Sequence, residues 1–157
     1  MSTYTTRTGI EKPATGTQSG TWGDTTNTNF DIIDTALNGI VTLTLSGTSS
    51  NLTTTDGTVT DGMNKMILCG GSPSGAHTIT VVPNDAEKIY FVTNNTTQSI
   101  IFSQGSGANA TVAASESRII HCDGAGSGAA VTDYTSTLAT STTFIDGQAT
   151  ALAIALG

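Results

Sequence analysis

From Ile40 onward, short β-branched and aromatic runs alternate with turn-forming pairs, and this spacing constrains the fold most. The runs are Ile40–Ser46, Lys65–Cys69, His77–Val82, Lys88–Thr93, Ser99–Ser103, Ala110–Ala113, Arg118–Cys122 and Ala130–Ser136. Between them stand Asp-Gly, Gly-Gly, Ser-Pro-Ser-Gly, Pro-Asn-Asp, Asn-Asn-Thr-Thr and Gln-Gly-Ser-Gly. Turn signals at intervals of about 8–12 residues predict an all-β fold: a sandwich, a jelly roll or a barrel. No helix-length segment separates the runs, which excludes strands joined by helical crossovers. Charged residues make up only 11% of the 157, against about 25% in an ordinary soluble domain. Polarity comes instead from Thr, Ser, Asn and 18 glycines, residues that suit pleats and turns. A chain of this length can bury a core without disulfide staples.

The two ends differ from this middle. Residues 1–23 have no apolar periodicity, with Ile10 and Trp22 as isolated anchors, and read as an extended arm ordered by a partner surface. Phe30, Ile33 and Leu37 then fall at i, i+3 and i+7 with Ala36 beside them, predicting one short α-helix over 24–38. Asp24 or Thr25 would cap its start, and Asn38-Gly39 would stop it. At the other end, Ala151-Leu-Ala-Ile-Ala-Leu-Gly157 places Leu152, Ile154 and Leu156 on one face of a strand. Such a stripe calls for burial, against the chain's own core or between copies. The expected organisation is an arm and helix for attachment (1–39), a β-sandwich module (40–139) and an apolar tail forming an oligomer interface (140–157).

The inventory of reactive groups is thin. Net charge is −7, and the five basic residues Arg7, Lys12, Lys65, Lys88 and Arg118 are scattered. Nothing gathers them to release counterions from a phosphate backbone or to hold an anionic membrane. No apolar run reaches the length of a membrane span, and Met1–Ile10 has no apolar signal region, so no nucleic acid and no membrane insertion is expected. His77 and His121 lack metal-ligand spacing, and Cys69 and Cys122 form no CxxC. The two cysteines read as buried thiols, or as a disulfide if their Cα atoms lie about 6 Å apart. His121, Cys122 and Asp123 are consecutive, so strand alternation sends neighbours to opposite faces. Asp56, Asp61, Asp123 and Asp146 each precede glycine, which is turn chemistry before it is a Ca²⁺ site. Gly124–Gly128 precedes a strand rather than a helix and reads as a flexible loop rather than a phosphate cradle. Asp85 and Glu87 have no readable separation for acid–base work. No cofactor, metal or catalytic site is expected.

In wording and order, Glu11–Gly39, EKPATGTQSGTWGDTTNTNFDIIDTALNG, resembles the N-terminal region of bacteriophage tail-fibre and other virion structural proteins. There a variant of GTWGDTxNTNFxxID precedes a Ser/Thr/Gly-rich β module. The downstream TDGTVTDGMNKMILCGG, TITVVPNDAEKIYFVTNNT and IIHCDG resemble that module, so the likeness spans roughly residues 9–124. The resemblance implies a non-enzymatic virion component, assembled in the host bacterial cytoplasm. It also implies a homotrimer, because fibres commonly follow a three-fold axis. Partners would be other tail or capsid proteins, in a short fibre or spike or a capsid-decorating role, with host surface glycans as an alternative ligand. On this reading Ile10, Trp22, Phe30, Ile33 and Leu37 carry attachment, while Leu152, Ile154 and Leu156 close a subunit interface.

Overall fold

A computed structural model describes residues 1–136; the expectations for Leu152, Ile154, Leu156 and Asp146 lie outside the described residues. The described chain is mostly β. After β1 (Thr3–Tyr4) and β2 (Glu11–Lys12) comes helix α1 (Trp22–Asn38), followed by β3 (Ile40–Thr53) and β4 (Met66–Val82). Then come β5 (Lys88–Asn94), β6 (Ile100–Ser103), β7 (Ala110–Val112), β8 (Ser117–Cys122) and β9 (Val131–Asp133).

Strand β4 organises the fold. One flank pairs in parallel with β3 along nearly its whole length. The other flank is divided, with residues 66–69 beside β5 and residues 77–80 beside β6. The Gly-Gly and Ser-Pro-Ser-Gly signals, expected to separate two strands, instead sit at a bend inside one. Its partner β3 shifts register between Gly47 and Ser49 at the same level. Gly71 (φ 92) lies so close to β3 that a Cβ there would come within 2.4 Å of the Leu45 carbonyl oxygen. Only glycine combines that φ with that approach. His77, fully buried, locks the bend: Nε2 lies 2.9 Å from Ser50 Oγ and Nδ1 3.3 Å from the Gly47 carbonyl.

Strands β8 and β9 extend the sheet antiparallel from β5, and β7 extends it from β6. The two ends then approach each other. Val131 N donates to Ala108 O (2.7 Å) and Gly107 N to Ala129 O (3.1 Å), so the curled sheet is nearly closed. Inside lie Leu45, Leu52, Ile67, Ile79, Tyr90, Val92, Ile100, Phe102, Val112 and Ile120. Alternation along each strand brings them to one face.

Two buried polar groups knit the loops to this core. Tyr90 Oη donates to Gly62 O (2.7 Å). Asn94, with no exposed surface, donates to the carbonyls of Gln98, Val112 and Ala113 and accepts from Thr96 N and Oγ1. The Asp-Gly pairs divide: Gly57 and Gly124 take positive φ as a turn requires, whereas Gly62 sits in a 3₁₀ turn pressed on Thr53. Residues 124–128 are tied down by a 3₁₀ turn whose carbonyl at Ser127 accepts from Ser106 N, 2.9 Å away.

The arm packs on the chain's own body. Strands β1 and β2 form a small hairpin, and Gly57 N donates to Gly9 O (2.7 Å). Gly9 is buried against Asp56, where a Cβ would lie 2.9 Å from the Asp56 Cα. Arg7 pairs with Glu87, holding that carboxyl below its ordinary range. The composition of the arm hid these contacts because they run through backbone and glycine rather than apolar side chains.

Candidate docking surface

Helix α1 begins at Trp22, two residues before the expected start, with Thr21 as N-cap and no side-chain cap bond. Its inward face is small and polar: Thr25, Asn29, Ile32 and Ala36 recur at helical spacing, and only Ile32 among its residues is fully buried. Asn29 clamps β2 by accepting from Glu11 N and donating to Glu11 O, both at 2.9 Å. Gln18 links Glu11 (2.9 Å) to Thr25 (2.6 Å). At the C-terminus Gly39 is needed for space rather than for a left-handed φ, since it sits at φ −63. A Cβ there would meet Thr35 O at 2.4 Å and Asn64 Oδ1 at 2.6 Å. Gly39 O also accepts from Lys65 N and Met66 N, fixing the helix end to the start of β4.

Because the inward face is spoken for, the apolar stripe lies on the helix flank beside it and stays largely uncovered. Trp22, Phe30, Ile33 and Leu37 are 63, 63, 39 and 66% exposed. At about 100° per residue they fall within roughly 80° of arc. Their only charged neighbours on the helix are Asp24, Asp31 and Asp34. Burying each such side chain fully is worth about 1.5–3 kcal/mol, and a continuous exposed apolar stripe marks an interaction surface. Of the five residues expected to carry attachment, these four share one face. Ile10 does not join them; it is half-buried in the β1–β2 turn, with its N–H donating to Thr5 Oγ1 at 2.9 Å.

A second apolar surface was not foreseen. Cross-strand register lines up Ile40, Met66, Phe91 and Ile119 across β3, β4, β5 and β8. Their sequence neighbours Ile67, Tyr90, Val92 and Ile120 are buried, so this row faces outward. The signal was available: Ile89-Tyr90-Phe91-Val92 and Ile119-Ile120 are apolar at successive positions instead of alternating, as in strands covered on both faces.

Most of the reactive side chains gather where the start of β5 meets the end of β8, with Lys88 opposite Cys122 in the register and Glu87 beside both Arg7 and His121. Cys69 and Cys122 are free and buried, and burial pushes each thiol up to about 12. His121 lies 3.5 Å from Glu87 and stacks obliquely on Tyr134. Asp123 accepts from the backbone N–H groups of Ala125 and Ala130, both 3.0 Å away, which hold its carboxyl low. Lys88 is pushed down to about 8 by burial, with Cys122 acting in the opposite sense. Among the described residues no group of three His, Cys, Asp or Glu side chains could hold a metal ion, and no helix is long and apolar enough to cross a membrane. Searches against family models, curated proteins and solved structures find no match to this chain.

Proposed function

We propose that this chain is a structural component of a bacteriophage particle, a short fibre- or spike-type protein that docks through helix α1. One observation supports this reading above the others. The helix is fastened to the body by Asn29, Thr25 and Ile32 while presenting Trp22, Phe30, Ile33 and Leu37 to the outside. A helix serving only its own core would turn that stripe inward. Here the stripe is a helix-in-groove ligand, and it lies within the Trp22–Leu37 part of the phrase that resembles virion proteins. The partner groove is apolar, with a basic or hydrogen-bond-donating rim to meet Asp34, about 40° beyond the edge of the stripe. The β module behind it reads as a small sandwich or jelly roll that supplies shape, repeated about a three-fold axis as the resemblance implies. Trp22→Ser with Leu37→Asp should leave the isolated chain folded and remove it from purified particles, read by mass spectrometry of particle protein. Normal incorporation of that folded variant would refute the docking role.

A further inference from the structure

Three of the five basic residues that lie scattered in the sequence, Arg7, Lys65 and Lys88, line one cavity of about 160 Å³. Its walls come from the arm, the end of α1, the turn before β4 and the start of β5. Glu87 is the one carboxylate among the lining residues, and it is already engaged by Arg7 and by His121 Nε2 at 3.5 Å. Lys88 stands apart from that group. It is 9% exposed, and among the described residues its ammonium has neither an ion pair nor a hydrogen bond. The ionisable group opposite it in the register is Cys122, a thiol that burial keeps protonated. A buried cation without a counter-charge is costly, and burial accordingly lowers Lys88 to about 8.

We infer that this cavity binds a small oxyanion group, a phosphate or a carboxylate, with Lys88 as its counter-charge. Charge, space and vacancy agree on such a ligand. Three cations and one carboxylate leave the lining with a net charge of +2, in a chain whose net charge is −7. Lys65 adds its charge from the rim, where its ammonium lies 5.9 Å from the Phe91 ring centroid. The volume is several times the roughly 30 Å³ share of one liquid water, so a group of a few heavy atoms fits. An anion seated there supplies the partner that Lys88 lacks and favours its charged form. The site is independent of docking through α1, because the helix lines it only with Ala36 of the inward face.

The test titrates the full chain with inorganic phosphate and, separately, with acetate, at an ionic strength held constant with chloride. The Lys88 Cε resonance, followed by NMR against pH, is expected to titrate at least about one pH unit higher at saturation, equivalent to tenfold tighter binding to the ammonium than to the amine. Exposed Lys12, which lies outside the cavity, should titrate unchanged. Lys88→Met should weaken binding at least tenfold with an unaltered circular dichroism spectrum, and Lys12→Met should leave it as it is. Phosphate binding well ahead of acetate assigns the ligand as a phosphate, and acetate binding as well or better assigns a carboxylate. No binding of either anion at tens of millimolar, an unmoved Lys88 titration, or undiminished affinity in Lys88→Met would overturn the proposal. The NMR titration needs no variant, and neither readout involves particles, so failure here and failure of helix docking are separately visible.

Discussion

Replacing Ile32 by Ala and, separately, Leu37 by Ala tests which way the helix faces. Both residues lie on α1 five positions apart, and both changes remove apolar carbon from a helix. Ile32 is fully buried and Leu37 is 66% exposed. Truncating a fully buried Ile leaves a cavity and typically costs about 2–5 kcal/mol; for a single contact between one helix and the body, about 3 kcal/mol is expected. Truncating Leu37 removes contacts that are mostly with water, and alanine is the better helix former, so the change should stay within about 0.5 kcal/mol. Urea unfolding followed by far-ultraviolet circular dichroism reads both, provided the slope with denaturant is unchanged. A Leu37→Ala cost of 2 kcal/mol or more, or an Ile32→Ala cost below 1, would refute the orientation from which the docking surface follows.

Two further outcomes follow from buried polar groups. Asn94→Ala should destabilise by about 3 kcal/mol in urea, because it removes a donor from the carbonyls of Gln98, Val112 and Ala113 and the acceptor of the buried Thr96 N–H, while Gln98 O keeps Thr96 Oγ1; a cost below 1 kcal/mol would contradict that network. Lys88 is charged in both native and unfolded chains at pH 7, but the native group releases its proton near 8 and the unfolded one near 10.5. The unfolded state thus holds more protons between those values, and the Lys88 contribution to stability rises with pH across that window. Cys69 and Cys122, held protonated in the native chain to about 12, act oppositely above about pH 9, so the comparison is with Lys88→Met. That variant should be more stable by about 1–3 kcal/mol at pH 7, from a shift worth at most about 3 kcal/mol, with the advantage nearly gone by pH 10. An advantage that persists at pH 10, or none at pH 7, would contradict the assignment.

The strands were legible because their β-branched runs and turn residues are local signals. The bend in β4 was not. Gly70–Gly75 reads as a break, yet β3 runs alongside and supplies the pairing that carries one strand through it, with His77 bridging back to Gly47 and Ser50. A histidine inside an apolar run cannot announce such a partner thirty residues away. The stripe Phe30, Ile33 and Leu37 was visible as a period, but a period alone does not say which side faces the body. That was decided chiefly by Asn29, whose amide binds β2 across a separation of 18 residues, too large for any local pattern. The arm's contacts with the body were hidden for the same reason, since they run through Gly9 and the Glu11 backbone. The outward row on β5 and β8 was legible in principle from the loss of alternation at Phe91 and Ile119.

The docking surface is tested most directly by a photo-crosslinking amino acid placed at Phe30 in the chain within intact particles, with the same probe at Asp24 on another side of the helix as the comparison. Capture of a second particle protein from position 30, and little from position 24, is the result expected. Equal labelling of water at both positions, with no protein captured at Phe30, would contradict the assignment.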